Sequence, residues 1–229
     1  MKRGNFIELL TVSGGAMATA SLVSISDIAL AEVKKVVHPN GQVTLTADVV
    51  VAGGGLGGFA AAMASLRNNQ SVILTEETDW LGGQLTSQGV PPDEHEWIET
   101  YGATQFYRDF RTAIRAYYKR NYPLIPEAKN NPVLNPGDGV VSRLCHEPMV
   151  ALAVMNEMIA PYLSSGKLQL LLEHRIIAAD VNGNKVKAIT AKELHSGEIK
   201  TLVAPYFVDA TELGELLPLT GTEFVTGTS

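Results

Sequence analysis

Branched apolar residues dominate Thr44 to Ala52, the pattern of a buried strand, and Leu56 to about Arg67 changes to an Ala-rich helical run. Asn68-Asn69-Gln70 turns the chain, and Ser71 to Thr75 is a second buried strand that ends in Glu76. Between Tyr101 and Tyr122 the residues Phe106, Phe110, Ile114, Tyr117 and Tyr118 recur at helical spacing, with Arg108, Asp109, Arg111, Arg115, Lys119 and Arg120 mostly on other faces. An aromatic stripe in such an amphipathic helix is more often core than a substrate platform. Pro123, Pro126, Pro132 and Pro136, with Asn130-Asn131 and Gly137-Asp138-Gly139, predict a loop of about sixteen residues, either a lid or a solvent-exposed connector. Pro148 starts a further helix that Gly166 ends. Leu168 to Leu172, Arg175 to Val181, Val186 to Lys192 and Ile199 to Val203 alternate as antiparallel strands do, with a turn at Asn182-Gly183-Asn184, and Tyr206 to Thr211 returns as a buried strand. The expected fold class is α/β, a Rossmann-like domain with a parallel sheet plus a small antiparallel β-meander.

Composition narrows the partners. The 229 residues, 45% hydrophobic and 18% charged, are those of an ordinary globular protein, and a net charge of −6 without a basic run removes the electrostatic case for nucleic acid or an anionic membrane. Cys145 is the single cysteine and the five histidines lack ligand spacing, so neither a disulfide nor a metal site is expected. The amino end has its own pattern. Lys2-Arg3, the short apolar run Ala16 to Ile25 and the small residues of Ala29-Leu30-Ala31 predict a cleavable export signal over 1–31, with the mature chain starting at Glu32 in the periplasm or outside the cell. The run is too short for a stable membrane span. Lys2-Arg3-Gly4-Asn5-Phe6-Ile7 resembles a twin-arginine signal with Lys in place of one arginine and Phe6 one position late.

The strongest chemistry lies in Gly53-Gly54-Gly55-Leu56-Gly57-Gly58, where Gly53, Gly55 and Gly58 fall in the G-x-G-x-x-G frame between a strand and a helix. Such glycines permit a tight turn, approach of a pyrophosphate to the backbone, and close packing of helix on strand. The helix amino end then offers N–H groups and partial positive charge to phosphates. Glu76, twenty-three residues after Gly53, stands at the spacing where an acid meets a ribose hydroxyl. Glu77 follows it and no arginine is adjacent in sequence, which makes NADP the least expected dinucleotide.

Trp80-Leu81-Gly82-Gly83-Gln84-Leu85 and Val208-Asp209-Ala210-Thr211-Glu212-Leu213-Gly214-Glu215-Leu216 complete a pattern that resembles the FAD-dependent oxidoreductases of the glutathione-reductase-like fold. The resemblance covers about residues 47–229 and implies one FAD-binding domain over 44–229. It implies cofactor contacts from Gly53, Gly55, Gly57, Gly58, Glu76, Gly82, Gly83, Gln84, Ile176, Asp209, Ala210 and Thr211, with Glu76 on the adenosine ribose. Where the group usually has A-T-G this chain has Glu212, a form similar to a narrower branch of unassigned substrate. Members are normally longer, so a chain truncated at the carboxyl end is expected. The implied activity is hydride transfer between a small-molecule substrate and flavin, with an unidentified electron acceptor. A non-redox flavoprotein (isomerase or lyase) and an inactive FAD-binding fragment are the alternatives. No catalytic residue is assigned. Cys145 is either a reactive thiol or, more commonly, an inert buried one. His146 is a general base or a polar residue before a helix, and His95 in Pro91-Pro92-Asp93-Glu94-His95-Glu96-Trp97 is a substrate contact or part of an acidic surface loop.

Overall fold

The structure, a computed structural model, describes residues 31–227. In chain order the elements are β1 (Lys34–Val37), β2 (Val43–Thr46), β3 (Val49–Ala52), α1 (Leu56–Arg67), β4 (Val72–Thr75), α2 (Gln105–Asn121), α3 (Pro126–Asn130), α4 (Pro148–Ser164), β5 (Leu168–Leu171), β6 (His174–Asn182), β7 (Lys185–Glu193), β8 (Ile199–Val203), β9 (Tyr206–Asp209) and α5 (Leu216–Thr220). The export signal expected over 1–31 lies almost entirely outside the described residues, and the first strand among the described residues is Lys34–Val37.

Four strands form a parallel sheet in the order β5-β4-β3-β9, and five form a mixed sheet in the order β1-β2-β8-β7-β6. The side-chain period of two in β3 and β4 explains how the first sheet sits between two layers. Val49, Val51, Val72 and Leu74 pack with Phe59, Met63, Phe110, Ile114 and Met155 of the helices, whereas Val50, Ala52 and Ile73 pack with Leu45, Ile189 and Leu202 of the second sheet. Both faces of the two central strands are therefore dry, which is why their sequence is apolar without alternation. Each such Val, Leu or Ile contributes roughly 1.5–3 kcal/mol on burial.

Several elements differ from the sequence expectation. The run Thr44 to Ala52 is two strands in two sheets. Asp48 sits at the corner between them, its carboxylate accepting from the Ser71 N–H and hydroxyl at 2.7 Å each while its own N–H donates back, so the backbone can leave one sheet without losing its hydrogen bonds. Leu168–Leu171 joins the parallel sheet beside β4, and β8 pairs with β2 in parallel, so the meander β6-β7-β8 is one part of a mixed sheet. The strand expected to be buried at Tyr206 is an edge of the parallel sheet, with Tyr206 69% exposed. A one-turn helix, α3, with Pro126 at its start, breaks the sixteen-residue loop. Beyond it Asn135 organises the backbone, donating to the Gly139 and Ser142 carbonyls at 2.9 and 3.2 Å and accepting from the Cys145 N–H at 2.6 Å. No helix among the described residues is long and apolar enough to cross a membrane.

Candidate functional site

The glycine-rich turn lies where β3 gives way to α1. Gly53 has φ +94°, a conformation that L side chains rarely adopt, and a Cβ there would overlap the Ala210 carbonyl of the segment following β9. At Gly58 a Cβ would overlap the Gly53 carbonyl oxygen, so this glycine serves the packing of helix on turn. Gly55 and Gly57 differ. A Cβ at Gly57 meets nothing within 4 Å, and one at Gly55 meets only the Glu212 Oε1 at 3.2 Å. No side chain caps α1 and no acid occupies its first turn, so its first N–H groups are not taken up by side chains.

Around this turn a cleft of about 470 Å³ is lined by Gly53, Gly55, Glu76, Gly83, Ile176, Ala210 and Thr211 among the expected residues. Glu76 ends β4 with Oε2 accepting from the Gly54 N–H at 2.9 Å and Oε1 from the Thr78 N–H and hydroxyl at 2.8 Å each, a fixed orientation that leaves lone pairs on both oxygens. Gly82 and Gly83 are drawn onto the turn by the Gly82 N–H to Gly54 carbonyl bond of 2.8 Å. Gly82 faces inward, where a Cβ would crowd Met155 and Thr86, and Gly83 faces the cleft. Asp209 holds the turn after β9, accepting from the Thr211 hydroxyl at 2.7 Å and the Leu216 N–H at 3.0 Å, and Gln84 lines a neighbouring pocket. Gly57, Gly58, Gly82, Gln84 and Asp209 are thus outside the cleft lining.

Glu77, Thr78, Ser87, Gln88, His174, Arg175, Glu212 and Glu215 also line the cleft and were not singled out for it by sequence. The arginine absent from the sequence neighbourhood of Glu76 is present in space, because Arg175 at the start of β6 makes a two-pronged pair with Glu77 at 2.9 and 3.0 Å. Burial, reinforced by the Glu77 charge, raises the Glu215 carboxyl above its ordinary pKa. The Glu212 carboxylate is the group nearest Gly55 and Gly83, an anion of the chain's own at the mouth of the anion-binding turn. A dinucleotide fits this arrangement: open glycines at a helix amino end for a pyrophosphate, and an oriented carboxylate at the end of the second strand for a ribose.

A second polar region lies under residues 94–147. Arg111 and Arg115, expected on a polar face of α2, are only 3% and 7% exposed. Arg111 pairs with both Glu94 and Glu99, and Arg115 holds Glu99 at 2.6 and 3.1 Å and the Leu134 carbonyl at 2.9 Å. Burial alone raises the Glu99 pKa, but the Arg115 hydrogen bonds and the Arg111 charge overcome it and hold the carboxyl below its usual range. Tyr107, half-buried and donating to Glu94 at 2.6 Å, has its phenol pushed well up. Cys145 is buried, while His95 borders this region on the exposed side beside Trp97 and Tyr101. Glu173, Glu193 and His195 bring their ligand atoms within 4.8 Å of one another, although sequence spacing gave no sign of it. The Glu193 oxygens there already accept from the His195 and Ser196 N–H groups of the β7–β8 turn.

The fold and this turn define a dinucleotide-binding α/β protein. Residues 48–229 match the family of FAD dependent oxidoreductases, and the chain belongs to that family, whose cofactor is FAD. No curated protein matches the sequence. Among solved structures the chain is similar to L-proline dehydrogenase from P. horikoshii (17% identity, TM-score 0.39, 73% of this chain and 23% of that one). Glycerol-3-phosphate dehydrogenase from Bacillus halodurans, complexed with FAD, gives 15% identity and a TM-score of 0.45 over 76% of this chain and 36% of that one. The Mycobacterium smegmatis Sdh1 complex in the apo form gives 13% and 0.47 over 72% and 34%. The chain spans between about a quarter and a third of the length of these proteins.

Proposed function

We propose that the cleft at the β3–α1 turn holds FAD and that the protein takes a hydride from a small-molecule substrate, a separate acceptor then reoxidising the flavin. The observation that carries this reading is the contrast among the glycines: Gly53 and Gly58 are closed against protein, whereas Gly55 and Gly57 face space bounded by an uncapped helix end. Bound FAD would supply the redox chemistry, exchanging a hydride with a substrate carbon. The chain supplies the rest. The α1 amino end and the Gly55 backbone take the pyrophosphate, with Glu212 swinging aside from its place over Gly55. Glu76 accepts hydrogen bonds from the ribose, Gly83 and the Ala210-Thr211 turn approach the cofactor backbone, and the Arg175–Glu77 pair walls the side of the cleft next to Glu76.

Gly55→Val tests the assignment. A Cβ at 55 meets only the movable Glu212, so circular dichroism should be unchanged while FAD retention is abolished. Stoichiometric flavin in the folded variant would refute the cleft. Substrate-dependent loss of the visible flavin absorption distinguishes redox turnover from a structural flavin. We also infer export, supported by Lys2-Arg3, the apolar run and Ala29-Leu30-Ala31. Mass analysis of exported protein should find Glu32 at the amino end, and a chain still beginning at Met1 would overturn cleavage.

A further inference from the structure

The turn after β9 brings a carboxylate onto the glycine-rich cradle. Ala210 is tied to the end of β3 by its N–H bond of 2.7 Å to the Ala52 carbonyl, and its own carbonyl is what a Cβ at Gly53 would overlap. The Thr211 hydroxyl donates to Asp209 Oδ1 and accepts from the Glu215 N–H, both at 2.7 Å, while Asp209 Oδ2 accepts from the Leu216 N–H at 3.0 Å. Residue 212 is therefore carried by an anchored turn, although it is itself exposed. Its Oε1 lies 3.2 Å from where a Cβ at Gly55 would be and 3.2 Å from where one at Gly83 would be. Gly55 and Gly82 are bridged in parallel, which makes Gly55 and Gly83 neighbours, and one carboxylate oxygen lies against both.

The other charges of the cleft are already engaged. Glu76 is held by Gly54 and Thr78, and Arg175, the one arginine or lysine among the described lining residues, gives both its prongs to Glu77. Glu212 instead sits beside Gly55, the residue that precedes α1, whose amino end has no side-chain cap. The N–H groups and partial positive charge that draw a phosphate to such a helix end draw a carboxylate in the same way.

We propose that Glu212 is a built-in competitor for the diphosphate subsite, so that FAD must displace the chain's own carboxylate and is held more weakly than the glycine cradle alone would hold it. The inference rests on the flavin reading above and concerns the affinity of that same site. Two effects act in one direction. The side chain has to leave the place that the phosphate oxygens take, and on its anchored turn it stays close enough to repel a charged diphosphate. Screening acts over about 10 Å at 0.1 M ionic strength and about 3 Å at 1 M, so the repulsion fades as salt rises.

Calorimetric titration of the full chain, freed of nucleotide by gel filtration, with FAD, ADP and adenosine compares the parent with Glu212→Gln, which keeps the shape of the side chain and removes its charge. At low salt the variant should bind FAD and ADP at least tenfold more tightly, a difference of about 1.4 kcal/mol. Adenosine has no phosphate and should show no difference between the two proteins. Raising the salt to about 1 M should shrink the gain for FAD and ADP severalfold. Glu96→Gln makes the same change of net charge at an exposed residue outside the cleft lining, and should bind FAD as the parent does. An equal gain for adenosine, a gain that salt leaves untouched, or an equal gain in Glu96→Gln would each overturn the proposal. FAD bound with the same affinity by the parent and Glu212→Gln defeats the competitor and leaves the cofactor reading standing. Two folded proteins that both fail to bind FAD defeat the cofactor reading, and the competitor with it.

Discussion

The cofactor cleft and the charged region beneath residues 94–147 recognise polar groups in opposite ways. In the cleft, as proposed above, main chain would do much of the recognising, through Gly55 and a helix end without a side-chain cap, where a Cβ at Gly55 would meet only the Glu212 carboxylate. In the other region side chains carried by separate segments, Glu94 and Glu99 on one and Tyr107, Arg111 and Arg115 on α2, neutralise one another out of water. A main-chain site depends on backbone shape and fails when a Cβ is added. A buried charge cluster depends on its own balance and fails when one member is removed.

The largest expected effect breaks the second kind of site. Arg111→Ala leaves Glu94 with no cation in an interior position and should cost about 3–5 kcal/mol in urea unfolding, whereas Arg111→Met combined with Glu94→Leu should recover most of that loss. Recovery no better than the single variant would show that the cluster specifies the fold rather than burdening it. Next is Gly58→Ala. Its methyl group must displace the Gly53 carbonyl, so a loss of about 3 kcal/mol is expected alongside weakened FAD binding, in contrast to Gly55→Val, which spares the fold. Equal stability of these two variants would erase the distinction between the closed and the open glycines.

Glu76→Ala acts on the side-chain element of the cleft alone. FAD affinity should fall about ten- to a hundredfold, as lost charge-assisted hydrogen bonds imply, with a stability loss of about 1 kcal/mol from the Gly54 and Thr78 contacts. Equilibrium dialysis and thermal unfolding separate the two. The smallest effect belongs to Glu193, outside both regions, whose carboxyl is lowered to about 2 by the Ser196 hydroxyl and N–H and the His195 N–H. A folded-state pKa below the unfolded value means that the stabilisation is present above the ordinary carboxyl pKa of 4.5 and is lost as pH falls toward about 2. The melting-temperature difference between the parent and Glu193→Gln should therefore shrink across that window, and a constant difference would place the effect elsewhere.

Local pattern explains what was legible in the sequence. The β3–α1–β4 unit, its glycines and Glu76 are contiguous, each residue answering to backbone geometry a few positions away, and the structure puts Gly53, Gly55 and Glu76 on one cleft. The expectation failed where distant segments meet. Arg175 reaches Glu77 across 98 positions, and Arg111 and Arg115 look like a polar helix face until residues 94–99 fold over them. The apolar run from Thr44 to Ala52 hid a change of sheet, since the only mark of the corner is one aspartate whose partner, Ser71, lies beyond α1. A repeated pairing of Arg on α2 with Glu in the preceding loop was the one available sign of burial, because long charged side chains of opposite sign in equal number are what an interior position tolerates.

The β3–β9 pairing has a consequence in time. Val49 lies against Tyr206, 157 positions later (206 − 49), so the Ala210-Thr211 side of the cleft reaches Gly53 only after nearly the whole described chain has been made. At synthesis rates of about 5–20 residues per second, the first strand and helix wait about 8–30 s with an unpaired parallel edge. Such long-range closure is slow, and the waiting strand is exposed to misassembly. On the proposed reading FAD would bind the closed form and not the open one, so it would act on maturation by mass action, drawing the last strand home. Cells short of flavin should then accumulate this chain as an aggregation-prone species rather than as a soluble apoprotein.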